Sequence, residues 1–494
     1  MSKVYLVGAG PGDPELLTLK GRRVLQLADA VLFDHLANPA LLRFARERAE
    51  RIYVGKKRSC HTVSQQEIIE MMIDRAKRGF TVVRLKGGDP FIFGRGGEEA
   101  EALAAAGVPF EVVPGVTTPL GLAAYCGVPL THRSHTSVVT FVTGHNPESI
   151  DWDRVGRAET LVIFMGLTTL PVIAREIIRR GRPANTPAMA VRWATRPEQW
   201  TITGTLEDLP DRVRDAGMKP PATIVIGEVV SLRDTLSWYE KLPLFGRRIV
   251  ITRPRGQAED LALQLHDLGA EVIEYPTIEI CPPLSTGPLD AAIERLSSYD
   301  WLIFTSVNGV RFFLERLDSS RNDLRALRAK ICAIGPATRK AVEDLHLKVD
   351  LMPDEYVAES LLEAFAGEEM RGKRVLLPRA AVARDLIPTA LRERGAEVDV
   401  VEAYRTVVPE EARDQAAEVF QAARKPDWVT FTSSSTVKNL LALVPREALD
   451  GVRFASIGPV TSDTARRHGL SIDAEAAQYT VDGLVEAILA AETR

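Results

Sequence analysis

The chain has 494 residues, 45% hydrophobic and 26% charged, with a formal net charge of −4. This size allows three or four folding units of roughly 100–200 residues each. The near-neutral balance excludes a nucleic-acid binder that works through a general basic field, while local arginines or backbone amides can still hold an anionic ligand.

A first strand is predicted at residues 4–7, running into the turn GAGPGDP at 8–14. Its glycines permit a tight turn and close backbone approach. Asp34 ends the next predicted strand, 30–33, at the place of a ribose-binding acid in dinucleotide folds. Two features weigh against that reading: the spacing is GxGxG rather than GxGxxG, and Pro11 removes an N–H where a pyrophosphate needs donors. A basic run, KKR at 56–58, follows. After a predicted strand at 81–85 comes KGGDPFIFGRGGEE, where five glycines around Asp89 exceed the needs of an ordinary turn. PGVTT at 114–118, VTGH at 142–145, a predicted strand at 161–164 leading into FMG, and RWAT at 192–195 complete the set. His132 and His135 invite a metal reading, but no cysteine or carboxylate cluster accompanies them, and no metal is expected.

Residues 238–245, WYEKLPLF, read as a connector to a second block with an internal repeat. RIVITR at 248–253 returns as RVLLPR at 374–379. GAEV at 269–272 returns at 395–398, and DWLIFTS at 300–306 returns as DWVTFTS at 427–433. AIGPAT at 333–338 returns as SIGPVT at 456–461, and YVAESL at 356–361 as YTVDGL at 479–484. The offset of about 125 residues is too long for a solenoid and marks two copies of one unit. Residues 258–268 have helical spacing and stop at Gly269. Strand–helix alternation predicts an α/β class with parallel sheets, and two such domains usually leave a ligand cleft between them.

Cys60, Cys126, Cys281 and Cys332 are widely spaced. They argue against a disulfide scaffold and suit a reducing cytosol. No apolar run approaches the ~20 residues of a membrane span, and the first residues lack a signal peptide's apolar core. A soluble, cytoplasmic protein is expected.

Segments 8–17, 87–99 and 114–118, extended by VTGH and FMG, together resemble the tetrapyrrole methylase family over nearly all of residues 1–240. Within it the chain is most similar to uroporphyrinogen-III C-methyltransferases. The resemblance implies a two-subdomain methylase fold with S-adenosylmethionine in a trough between the subdomains and S-adenosylhomocysteine as product. It places Pro11, Gly87, Gly88, Asp89, Ile92, Thr117, Thr118, Met165 and Ala194 at the cofactor, with Ala194 standing where the family often has glycine. It makes Asp34 a candidate general base and Lys56 a candidate acid or carboxylate partner. Arg58, His61 and Ser64 fall on the substrate side, and a homodimer through this half is implied. The competing readings are that Asp34 caps the following turn and that Lys56 belongs to a solvated basic face.

The repeat resembles uroporphyrinogen-III synthase over about residues 246–490. It implies one domain of about 246–281 plus 409–494, a second of about 282–408, and crossings at 275–280 and 402–408. The matched turns offer Arg253, Thr305, Ser306, Gly335, Thr338, Ser433, Ser434, Gly458 and Thr461 to a polycarboxylate. The alternative for these hydroxyls is helix capping. Tyr404 matches the family's candidate proton donor, and its alternative is a core aromatic with a satisfied hydroxyl.

Residues 1–242 and 243–494 are thus expected to form a bifunctional enzyme acting on small-molecule tetrapyrroles, with neither nucleic acid nor membrane as partner. It would cyclise hydroxymethylbilane to uroporphyrinogen III and methylate that twice to precorrin-2, on the sirohaem or cobalamin branch. No dehydrogenase or ferrochelatase segment is recognisable, so the sequence is expected to stop there. Two other readings stay open: a methylase-fold enzyme with a different substrate, and a non-catalytic binding module at the C-terminus.

Overall fold

The structure is a computed structural model that describes residues 2–55, 63–353, 358–383 and 385–493. It divides into two compact units, Met1–Arg247 with Leu265–Glu271, and Arg248–Gln264 with Val272–Arg494. No helix among the described residues is long and apolar enough to cross a membrane.

The first unit holds two five-stranded sheets. Strands β1 (Lys3–Gly8), β2 (Ala30–Phe33), β3 (Glu50–Tyr53), β4 (Thr81–Lys86) and β5 (Phe110–Val113) pair in the order β3-β2-β4-β1-β5. All four pairings are parallel. The period-2 alternation of a strand divides its side chains between two cores. Val7, Val31, Val83 and Val113 pack on one face, and Val4, Leu6, Leu32 and Val82 on the other. Apolar residues on both faces are what a parallel sheet covered by helices requires.

The second sheet contains β6 (Val139–Thr143), β7 (Thr160–Phe164), β8 (Pro187–Arg192), β9 (Trp200–Thr205) and β10 (Ala222–Ile226), in the order β6-β7-β10-β8-β9. Only β6–β7 is parallel; β7–β10, β10–β8 and β8–β9 are antiparallel. The link from β8 to β9 is too short for the crossover that parallel neighbours need, so the two strands fold back as a hairpin.

The second unit repeats the α/β pattern. Its strands are β11 (Arg248–Ile251), β12 (Glu271–Glu274), β13 (Glu279–Cys281), β14 (Trp301–Phe304), β15 (Lys330–Ala333), β16 (Arg374–Ala380), β17 (Glu397–Val407), β18 (Trp428–Phe431), β19 (Arg453–Ser456) and β20 (Ala474–Glu475). They form two sheets, β12-β11-β18-β19-β20 and β13-β17-β16-β14-β15. The chain therefore leaves the first of these sheets after β12, builds the second, and returns to complete the first with β18. The helix expected at 258–268 runs over Arg255–Asp267 and stops at Gly269, whose φ of +92° suits glycine.

One pairing departs from the parallel expectation. The segment expected to be a second crossing, 402–408, is largely the end of the long strand β17, and β13 pairs with it antiparallel through Glu279–Val407 and Cys281–Arg405. The two connectors between the sheets thus satisfy each other's backbone groups, which would otherwise need other partners.

Candidate active site

In the first unit a cavity of about 870 Å³ opens where the strands of the parallel sheet end. Segments following β1 to β5 supply Pro11, Asp34, Gly55, Gly87 to Asp89 and Thr117. The second sheet supplies Met165, Trp193 and Ala194 at the ends of β7 and β8. All nine residues expected at the cofactor line this one cavity, and so does Asp34. Lys56, Arg58 and His61 lie outside the described residues. The Ser64 hydroxyl, expected on the substrate side, accepts from the Glu67 amide as the N-cap of the helix Gln65–Lys77.

The glycine turns lock backbone against backbone. Gly10 and Gly88 exchange hydrogen bonds at 3.2 and 2.7 Å. A Cβ on Gly8 would sit 2.5 Å from the Cα and N of Gly115 and 2.7 Å from the Gly88 carbonyl oxygen. The close approach expected of the first turn is therefore made to the other loops. Asp89 binds the same junction, accepting from the Phe91 amide at 2.8 Å and the Gly115 amide at 3.0 Å. Thr117 is the N-cap of the helix Thr118–Cys126 but makes no side-chain capping bond. Pro119 has no N–H and the Leu120 amide donates to the Thr117 carbonyl at 3.0 Å, so the Thr118 amide and the two threonine hydroxyls are what this helix start offers a polar ligand.

Four non-glycine residues lining the cavity hold left-handed backbone: Phe93 (φ 51°), Arg95 (58°), Met165 (53°) and Trp193 (51°). Each such residue costs about 1–3 kcal/mol, and such strain collects at ligand sites. Trp193 meets His35 edge-on with ring centroids 5.1 Å apart, and Arg196 stacks on its ring at 4.3 Å. Burial lowers the pKa of Arg196, and its Nη2 donates to the Leu36 carbonyl at 3.2 Å.

Under one wall lies a chain of charges. Asp34 accepts from Arg84 Nη2 at 2.7 Å and from the Leu36 amide at 3.0 Å. Arg84 and Lys86 are buried, and both reach Glu99, which has no exposed surface. Burial, followed by repulsion from Arg84, lowers the pKa of Lys86, and Glu99 opposes that shift. Arg84, Lys86, Glu99, Phe93 and Trp193 were not singled out from sequence. The available signal was two cations at i and i+2 in a strand that is otherwise apolar before its exit, since such residues share one face.

S-adenosylmethionine fits this donor set. The cavity lies within the 300–1,000 Å³ of small-molecule sites. It offers an apolar wall at Ile92, Met165 and Ala194 together with polar groups at Thr117 and Thr118. A side chain at Gly88, where φ is +66°, would enter the space beside the Thr118 hydroxyl.

In the second unit the repeated turns stand at matching strand ends. Ser306 and Ser433 have nearly identical backbone angles, and each caps the next helix through its hydroxyl, to Gly309 N at 3.1 Å and Thr436 N at 3.4 Å. Each of these hydroxyls has a second neighbour besides the cap, Ser306 the Tyr404 hydroxyl and Ser433 the Ser435 hydroxyl, both at 2.9 Å. Ser434 receives a hydrogen bond from Thr464 at 2.8 Å. Thr305 follows β14 directly and is half-buried. Gly335 and Gly458 precede helices that begin with proline and have no side-chain cap. At the second turn the Gly458 amide donates to Ser456 Oγ at 3.3 Å and the Thr461 amide to the Gly458 carbonyl at 3.1 Å, which leaves the Val460 amide for a ligand. Thr338 and Thr461 are buried. Arg253, two residues past β11, has no hydrogen-bond partner among the described residues, and burial lowers its pKa.

Tyr404 combines both of its readings. Its ring is buried in the core and stacks on Phe312 at 5.9 Å, while its hydroxyl lies 2.9 Å from the Ser306 hydroxyl. At the His132–His135 turn, His132 Nδ1 accepts from the Ser134 amide at 3.2 Å.

Comparison with known proteins matches residues 3–210 to the tetrapyrrole (corrin/porphyrin) methylases and residues 259–486 to uroporphyrinogen-III synthase HemD. A porphyrin biosynthesis protein HemD from Ruminiclostridium josui is 36% identical over 98% of this chain and 97% of its own length. A siroheme synthase from Pseudomonas fluorescens (strain SBW25) is 52% identical over 48% of this chain, and the match spans 52% of that protein. The crystal structure of uroporphyrin-III C-methyl transferase from Thermus thermophilus, complexed with S-adenyl homocysteine, is 42% identical. It covers 47% of this chain and 99% of its own, with a TM-score of 0.41. The chain belongs to the porphyrin-biosynthesis family that joins an S-adenosylmethionine-dependent tetrapyrrole methylase to a uroporphyrinogen-III synthase, and it is a bifunctional enzyme of tetrapyrrole biosynthesis.

Proposed function

We propose that the second unit cyclises hydroxymethylbilane to uroporphyrinogen III and that the first methylates this product twice to precorrin-2, for sirohaem or cobalamin. The observation that carries the methylase assignment is the convergence of nine expected cofactor residues, from five separate segments, on the cavity that also presents Asp34.

S-adenosylmethionine supplies a methyl group already activated on a sulfonium, so the protein's main task is alignment. Pro11, Gly87, Gly88, Asp89, Ile92, Thr117, Thr118, Met165 and Ala194 hold it. Asp89 acts by fixing the loop, because both its oxygens are already engaged. Asp34 accepts the proton that the methylated substrate sheds, and Arg84 keeps its carboxylate directed. Lys56 pairs with a substrate carboxylate or returns a proton. The first unit associates as a homodimer.

In the second unit, Arg253 and the open N–H groups at the repeated turns hold the substrate's carboxylates. A guanidinium half-buried without a hydrogen-bond partner gains more from a carboxylate than one already paired. Tyr404, steadied by Ser306, protonates the departing hydroxyl so that water leaves before ring closure.

The test is to titrate S-adenosylhomocysteine calorimetrically and to supply authentic uroporphyrinogen III with S-adenosylmethionine. Binding together with a doubly methylated product supports the assignment. Failure to bind the cofactor product defeats the cavity assignment, and binding without methylation defeats the substrate.

A further inference from the structure

Arg84 and Lys86 lie on one face of β4, and both are buried. Beneath them Glu99, in the first turn of the helix Gly96–Ala105, has no exposed surface and does not line the cavity. Three donors converge on its Oε1: Lys86 Nζ at 2.8 Å, Gln65 Nε2 at 2.8 Å and Arg84 Nε at 3.5 Å. Its Oε2 has no hydrogen-bond partner among the described residues. Arg84 thus donates through Nε to Glu99 and through the neighbouring Nη2 to Asp34, while its Nη1 donates to the Leu85 carbonyl at 3.0 Å. Glu99 is the buried anion facing two buried cations. Its removal would leave Arg84 free to swing toward the remaining carboxylate or away from the repelling ammonium.

We propose that Glu99 is a positioning residue for methyl transfer, fixing the Asp34 carboxylate through Arg84. This rests on the reading of Asp34 as the proton acceptor. The competing role is plain neutralisation of buried charge, which would stabilise the fold without reference to Asp34.

A double-mutant cycle separates the two. The variants are Glu99→Gln, Asp34→Asn and their combination, all in the full chain. kcat is measured with uroporphyrinogen III and S-adenosylmethionine, and S-adenosylhomocysteine affinity by calorimetry. Glu99→Gln is expected to lower kcat about 10- to 100-fold, as a misplaced reacting group does, with the dissociation constant changed less than about threefold. Asp34→Asn is expected to lower kcat about 10²- to 10⁴-fold. In the Asp34→Asn background, Glu99→Gln should then cost less than about threefold. Should Glu99→Gln fail to fold, Glu99→Asp takes its place in the cycle, since it keeps the charge and withdraws the carboxylate from Arg84. Additive losses, or a loss of cofactor-product affinity that parallels the loss of kcat, would overturn the role of Glu99 alone. An Asp34→Asn variant with undiminished kcat would overturn the proton-acceptor reading and this proposal with it.

Discussion

Adding one methyl group at Gly8 tests whether the cavity is built by backbone locking. An alanine Cβ there would lie 2.5 Å from two backbone atoms of Gly115 and 2.7 Å from the Gly88 oxygen. Backbone atoms cannot rotate away, so the loops must part by roughly 1 Å to restore ordinary contact. Such overpacking costs about 1–3 kcal/mol, and the buried position puts this change near the upper end. At about 2–4 °C per kcal/mol for a unit of this size, the Tm of the first unit should fall by roughly 6–12 °C. Gly97→Ala is the matched control. Its Cβ meets nothing within 4 Å, and an alanine in the first turn of a helix should stabilise by about 0.4–1 kcal/mol. Calorimetric melting of both variants, with S-adenosylhomocysteine titrations, reads the effect. Affinity should fall at least about tenfold in Gly8→Ala, through displaced loops, and stay unchanged in Gly97→Ala. A Gly8→Ala protein with unchanged Tm and affinity would refute the locking argument.

Tyr404→Phe keeps the ring on Phe312 and removes the hydroxyl bonded to Ser306. Stability should drop by only about 0.5–1.5 kcal/mol, while enzymatic formation of the type-III isomer slows about 10²-fold or more, read from the ratio of type-I to type-III product. Arg253→Met should raise KM for hydroxymethylbilane about tenfold or more, by one lost charge-assisted contact, and leave methylation of supplied uroporphyrinogen III unaffected. Hydrogen bonds from Lys20 and Lys3 hold the Glu111 carboxyl down at about 2. A depressed carboxylate stabilises above its unfolded pKa, and that contribution is lost as pH falls from about 4.5 through about 2. Glu111→Gln should therefore flatten the acid side of the stability profile, measured as urea midpoints between pH 7 and pH 3.

Much of the architecture was legible because it follows from period and punctuation. The strands at β1, β2, β4 and β7 are apolar runs that end in glycine or polar turns, and the repeat matches strand for strand, from β11 with β16 to β15 with β19. The residues lining the cavity were legible through the resemblance to the tetrapyrrole methylases that the glycine motifs carry, and they follow strand ends. What stayed hidden depends on partners distant in sequence. Glu99 reads as the tail of a glycine cluster until the fold places it under Lys86. Arg84 reads as a charge in a strand until it bridges to Asp34, fifty residues away. The β13–β17 pairing arises between two connectors, where neither alternation nor turn chemistry announces a strand partner. Trp193 sits beside Ala194, which the motif did mark, but its left-handed backbone has no signature in a tryptophan.

One coupled assay bears most directly on the two-enzyme account. The purified chain is given hydroxymethylbilane and S-adenosylmethionine with no other enzyme, and products are identified by mass and isomer. The account predicts a doubly methylated type-III product. Only the type-I product, which forms without a catalyst, would contradict the synthase half, and unmethylated type-III product would contradict the methylase half.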